Sequence, residues 1–214
     1  MKRALLAGVA VAALMAGPAA AADLPRQMAV RAPVMPYYNW TGYYVGINAG
    51  GGWGDSDWAG VRSIDLSGGL IGVTLGYNWQ FGQFVAGLEG DLNWTNIEGS
   101  AACVVVGTCR TRNDWLGTVR GRLGYAADRF MPYLTGGLAF GNIEASSPTG
   151  SADDTNAGWA LGAGLEFALA GNWTAKVEYL YVDLGDITCA TCFPAGVRVD
   201  YTASIVRGGL NFRF

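Results

Sequence analysis

Asp200-Tyr201-Thr202-Ala203-Ser204-Ile205-Val206-Arg207-Gly208-Gly209-Leu210-Asn211-Phe212-Arg213-Phe214 closes the chain and carries two alternating faces. Ser204, Val206, Gly208, Leu210, Phe212 and Phe214 form an apolar or small face; Arg207, Gly209, Asn211 and Arg213 dominate the other. A period of two belongs to a β-strand whose faces meet different surroundings.

The same split recurs upstream. At 84–95, Phe84, Ala86, Leu88, Leu92 and Trp94 oppose Glu89, Asp91, Asn93 and Thr95. At 115–125, Trp115, Val119, Leu123 and Tyr125 oppose Thr118, Arg120 and Arg122. At 173–182, Trp173, Ala175, Val177 and Tyr179 oppose Thr174, Lys176 and Glu178. Segments near 42–52, 68–79, 131–143 and 156–167 complete a set of eight strands. Short connections at 80–83, 127–130 and 168–172 alternate with long polar ones at 53–66, 97–112, 145–155 and 184–199. This order predicts an all-β fold, an eight-stranded antiparallel up-and-down transmembrane β-barrel with both termini at the short-turn end.

Composition decides what surrounds it. Of 214 residues, 51% are hydrophobic, 14% are charged, 33 are Gly and none is His. Met1-Lys2-Arg3, the apolar run Ala4–Met15 and Ala20-Ala21-Ala22 form an export signal over 1–22. An extended periplasmic tail is expected over 23–40 and the barrel over 41–214. Beyond the signal, Lys176 is the only lysine and acidic residues outnumber basic ones, so nucleic acid is excluded as a partner.

A soluble barrel would turn its apolar faces inward; an outer-membrane barrel turns them outward. Those faces run uncharged for about ten residues, enough to cross a bilayer on a tilted strand. Trp53, Tyr77, Trp79, Trp94, Trp115, Tyr125, Trp159 and Trp173 sit near strand ends, where interfacial girdles form. An open sheet edge in hydrocarbon is prohibitively costly, so the strands must close on themselves. The location predicted is the outer membrane of a Gram-negative bacterium, with lipid and lipopolysaccharide as surroundings.

Trp40-Thr41-Gly42-Tyr43-Tyr44-Val45-Gly46-Ile47-Asn48-Ala49-Gly50-Gly51-Gly52-Trp53-Gly54 resembles the opening strand of the porin-family, or immunogenic, outer-membrane β-barrel proteins of alphaproteobacteria. Val206–Phe214 is similar to the last strand of that family, and the terminal Phe214 to the signal read by the barrel assembly machinery. The resemblance implies a surface-exposed structural barrel and antigen supporting the envelope, without a large pore. It also implies alternatives: a haem-binding or adhesive surface protein, or a small diffusion pore. No motif in this chain carries either activity over.

The inward faces gather Glu89, Asp91, Glu166 and Glu178 with Arg120, Arg122, Lys176, Arg207 and Arg213. This near-balance predicts a paired network plugging the lumen, with Glu89 against Arg120 or Arg122, Glu178 diagonal to Arg207, and Glu166 near Lys176. Cys103 and Cys109 lie in one long connection, Cys189 and Cys192 in another; in an exported chain they are disulfide candidates, with three connectivities open. Cys189-Ala190-Thr191-Cys192 lacks the βαβ context of a redox motif. The Gly-rich run 50–54 lacks the Lys and helix of a P-loop. Without imidazole, the usual activated nucleophiles and zinc sites are missing. The sequence implies no catalytic residue, no metal site and no cofactor. Asp55, Asp57, Asp65, Glu98, Glu144, Asp153, Asp154, Asp183, Asp186 and Asp200 against Arg62, Arg110, Arg112 and Arg198 leave the long connections acidic, expected to bind divalent cations weakly.

Overall fold

The computed structural model describes residues 38–58, 62–102, 108–147, 150–189 and 197–214. The expected signal segment 1–22 and the tail as far as residue 37 lie outside the described residues, as do Cys103 and Cys192.

Eight antiparallel strands close on themselves in sequence order: β1 (Gly42–Trp58), β2 (Arg62–Phe81), β3 (Phe84–Ala102), β4 (Thr108–Tyr125), β5 (Phe130–Ser147), β6 (Gly150–Ala168), β7 (Trp173–Cys189) and β8 (Val197–Arg213). The seam is a full ladder from Tyr44↔Arg213 to Trp58↔Val199, so neither β1 nor β8 is an edge. Burial alternates residue by residue. On β3, Val85, Gly87, Glu89, Asp91, Asn93, Thr95 and Ile97 face in, while Phe84, Leu88, Leu92 and Trp94 face out.

Two aromatic belts mark the bilayer. Trp79, Phe81, Phe84, Tyr125, Trp173, Phe212 and Phe214 ring the short-turn end; Trp53, Trp94 and Trp159 ring the barrel further up. The ten steps from Phe84 to Trp94, at about 3.3 Å each and a tilt near 40°, span about 25 Å, the height of an outer-membrane apolar band.

The strands do not stop at the upper belt. Spans predicted as long loops at 53–66, 97–112, 145–155 and 184–199 are mostly strand, leaving only 59–61, 103–107, 148–149 and 190–196 between strands at that end. Each strand is 17–20 residues long, roughly twice what the bilayer needs. The reason is that the closed ladder needs only backbone partners, and these persist above the lipid. What changes there is the solvent: water bathes the outside, so apolar residues move inside. Ile64, Leu66, Ile97, Ile143, Leu184, Val199 and Tyr201 fill an apolar core within this extracellular tower, continuous with Leu70, Leu116, Leu180, Val182 and Ile205 beneath.

The ladder slips near the upper belt, between Trp94 and Ile97 on β3, between Arg112 and Leu116 on β4, and between Asp183 and Asp186 on β7. Such bulges re-aim the side chains that follow. On β4, odd positions face out below the slip and even positions above it. Amide side chains bind the backbone freed there: Asn113 Nδ2 donates to Asn142 O (2.6 Å), and Asn142 Oδ1 accepts from the N–H groups of Asp114 (3.0 Å) and Trp115 (3.2 Å).

At the short-turn end, Tyr38–Trp40, grouped with the tail by sequence, pack into the barrel. Trp40 is fully buried among Val85, Ala126, Met131, Tyr133 and Ala168. Its backbone N–H donates to Gln80 Oε1 (2.7 Å) and its indole N–H to Asp128 O (3.1 Å). The mouth of the barrel is thereby corked by the residues that precede β1.

A closed ladder offers detergent no edge to peel. The barrel should therefore resist SDS at room temperature and change apparent mass on boiling. A β-rich sample with one mobility before and after boiling would contradict closure in the membrane.

Candidate functional site: a charge network between two apolar layers

Between the Trp40 cork and the apolar core of the tower lies a polar layer. Inward parity on β3, β4, β6, β7 and β8 delivers Glu89 and Asp91, Arg120 and Arg122, Glu166, Lys176 and Glu178, and Arg207 to one level, all of them buried. An eight-stranded lumen is only wide enough for side chains to fill, so these groups reach across it.

Arg120 is the hub: Nη2 contacts Glu89 Oε1 (2.7 Å) and Asp91 Oδ2 (2.8 Å), and Nη1 lies 3.2 Å from Glu178 Oε1. Arg122 joins Glu166 (2.6 Å) to Glu89 (3.4 Å). Arg207 holds Glu178 through Nη2 (2.6 Å) and Nε (2.9 Å) and also pairs with Asp91. Lys176 Nζ meets Glu89 Oε2 at 2.8 Å. Four carboxylates and four cations thus share one neutral cluster.

Neutral donors complete it. The hydroxyls of Tyr44 and Tyr133 donate to Glu89 Oε2 and Glu178 Oε2, each at 2.8 Å. Thr118 donates to Asp91 (2.7 Å), and Thr174 (2.6 Å) and Asn211 (3.1 Å) to Glu166. Tyr44 and Tyr133 lie flat because their cross-strand partners are Gly76 and Gly164, where a Cβ would run into the phenol rings. The Arg122 guanidinium stacks 4.0 Å from the centre of the Tyr133 ring, adding a cation–π contact.

The predicted pairings fall out with differences. Register sets Glu89 opposite Arg120 and Glu178 directly opposite Arg207, not diagonal to it. Lys176 is level with Glu166 across β6–β7, yet its ammonium crosses the lumen to Glu89, leaving Glu166 to Arg122. A four-carbon stem in a narrow lumen makes the far wall as reachable as the adjacent strand. Arg213 is a correction. It stands outside the network at the mouth, donating to Asn39 O (2.7 Å) and Thr41 O (2.9 Å) and stacking on Tyr38 and Trp40. Its place near the end of β8, a turn below the charge layer, puts backbone carbonyls within reach and carboxylates beyond it.

Sequence reasoning passed over Trp40, Tyr44 and Tyr133. The inward parity of the two tyrosines, each opposite a Gly, was the available signal; Trp40 lies before the strand, where no periodicity points to it. Cys109 is buried in the tower core and Cys189 ends β7. Phe214 is exposed on the lipid side, its ring edge-on to Phe212 at 5.4 Å. Among the described residues no group of three or more His, Cys, Asp or Glu is placed to hold a metal ion. Chemically, every lumen carboxylate is already engaged by at least two donors, which suits a fixed filling rather than a reacting centre.

Comparison with known proteins agrees with this architecture. The family model described as outer membrane protein beta-barrel domain matches residues 7–214. The chain is 37% identical to the 31 kDa outer-membrane immunogenic protein of Brucella melitensis, over the whole of both chains. It is 38% identical to the 22 kDa outer membrane protein of Rhizobium leguminosarum bv. viciae over 72% of this chain and 69% of that relative. Among solved structures, Neisserial surface protein A is similar at a TM-score of 0.48 and 16% identity, covering 81% of this chain and 98% of that one. With its closed eight-stranded barrel, paired aromatic belts and these relatives, the chain belongs to the outer membrane protein beta-barrel domain family and is a surface protein of the Gram-negative outer membrane.

Proposed function

We propose that this outer-membrane protein is a sealed anchor that carries a rigid extracellular tower, and that it neither conducts solutes nor catalyses a reaction. One observation carries the reading. Among the described residues the charged layer is bounded below by the Trp40 cork and above by the largely apolar tower core, so it is closed off at both ends of the lumen. Ions would have to cross hydrocarbon-like packing twice, at a cost of several kcal/mol for each desolvated charge. The lack of His and the engagement of each lumen carboxylate support a non-enzymatic role.

Other parts of the chain fit this reading. Residues 1–22 serve as the export signal and those that follow as a periplasmic lead into Trp40. Exposed Phe214 at the end of β8 suits recognition by the barrel assembly machinery. Cys103 with Cys109, and Cys189 with Cys192, would staple two tips of the tower in the oxidising exterior.

Purified barrel in a planar bilayer tests the main claim. The expected record is flat, without unitary steps. Reproducible steps whose size changes when Arg120 or Glu89 is replaced would establish a conducting lumen and overturn it.

A further inference from the structure

The lipid-facing wall is not uniformly smooth. On β8, β1, β2 and β3 a groove of about 580 Å³ is lined by Ile47, Ala49, Ile71, Trp94, Gly208 and Leu210. It exists because Ala49 and Gly208, directly paired across the seam, are small, while Ile71 and Trp94 on one side and Leu210 on the other stand high. Its level is the outer leaflet, reaching up to the Trp94 of the upper belt.

The same strands turn acidic just above. Six residues up β1 from Ala49, about 15 Å along the barrel axis at a tilt near 40°, Asp55 stands directly opposite Asp65 of β2. Two residues further, Asp57 stands directly opposite Asp200 of β8. All four are exposed, and among the described side chains none has a cation within ion-pair distance; the nearby Arg198 is paired with Asp186 (3.0 Å). On β3 and β4, by contrast, acid and base are paired, Arg110 with Glu98 and Arg112 with Asp114 (2.7 Å). Like charges directly opposite in a sheet repel and destabilise it. Two such pairs, unneutralised among the described side chains and above this groove, call for a cation at headgroup level.

A second copy packed on this face would set aspartates against aspartates, which disfavours a symmetric dimer. A divalent cation fits better. Two carboxylates supply only part of the six to eight oxygens that Ca²⁺ takes, or of the six of Mg²⁺, and both ions share phosphate oxygens readily. We propose that this face holds a molecule of lipopolysaccharide, with an acyl chain in the Ala49–Gly208 groove and a phosphate tied to the Asp55–Asp65 and Asp57–Asp200 pairs through Mg²⁺ or Ca²⁺. The proposal rests on the outer-membrane assignment and adds to it a place, a cation and a headgroup chemistry.

The test uses the full barrel refolded in detergent, with purified rough lipopolysaccharide, and measures lipid co-eluting with protein. Three preparations are compared: wild type; Asp55→Asn/Asp57→Asn/Asp65→Asn/Asp200→Asn; and Ala49→Leu/Gly208→Leu, which fills the groove. A Cβ at Gly208 meets nothing nearer than a Lys176 carbonyl oxygen at 3.8 Å, so the last variant should fold. Wild type in Mg²⁺ should retain lipid at least tenfold better than in EDTA, and both variants should drop to the EDTA level. Retention indifferent to EDTA, to the Asn substitutions or to removal of the lipid phosphates would overturn the proposal. So would stronger retention of an amine-headed lipid without added cation. The boiling-dependent mobility shift is read on every sample: its loss in wild type would count against the barrel itself, whereas its persistence assigns any negative result to this site alone.

Discussion

Glu89→Ala should lower the unfolding free energy of the barrel by about 3–5 kcal/mol, the range for removing one partner of a buried ion pair. Glu89 accepts from Arg120, Arg122, Lys176 and Tyr44, and among the described residues it is the only carboxylate within ion-pair distance of Lys176. Truncation therefore strands an ammonium between two apolar layers and leaves the cluster with one cation too many. Removing the pair together, as Glu89→Leu with Lys176→Met, keeps the cluster neutral and should be milder than the single change, because apolar replacement of a whole buried pair is often neutral. Denaturant unfolding in micelles, run as a double-mutant cycle, measures both. The control is Glu98→Ala, which breaks an exposed pair with Arg110 and should leave the midpoint unmoved. A Glu89→Ala barrel as stable as wild type would mean that water reaches the network.

Trp40→Ala should be comparably severe, about 3–5 kcal/mol, because it empties a fully buried indole site that the backbone on either side keeps from collapsing. Trp40→Phe separates packing from polarity. It keeps most of the volume and forfeits the hydrogen bond to Asp128 O, worth about 0.5–1.5 kcal/mol. The same unfolding measurement ranks the three proteins, with Phe expected between wild type and Ala. Equal stability for all three would show that Trp40 is a bystander at the mouth. Conductance gives a second readout: the charge layer and the tower core still block the lumen of Trp40→Ala, so its bilayer record should stay flat.

Strand count, topology and the outward face were legible in the sequence because a closed barrel in lipid forces strict alternation, and strands such as 84–95 show it without interruption. The upper halves were not legible for two physical reasons. The phase of alternation changes on β4 between Arg112 and Leu116 and on β7 between Asp183 and Asp186, so a reading that follows one phase stops at the belt. Above it the hydrophobic sense reverses: Asp55, Asp57 and Ser67 face water, and Ile64, Leu66 and Val199 face in. Strand exteriors made of Gly, Ser and Asp look like loop composition when taken one segment at a time. The lumen charges were legible from parity, yet their partners were not, since register gives the neighbour along the wall and says nothing of a chord across it. Lys176 takes such a chord to Glu89, and Arg213 takes none.

The tower's reversed sense also bears on how its surface can drift. Because Ile64, Leu66, Ile97, Val199 and Tyr201 hold each other from within, the alternate residues facing the medium carry little of the packing. Substitution at Asp57, Ser63 or Thr202 changes what an antibody or a phage meets while leaving the scaffold intact. A determinant drawn from β1, β2 and β8 at this height joins the β1–β2 hairpin to a strand from the other end of the chain. Such a determinant exists only in the folded barrel, and serum raised against linear peptides should miss it.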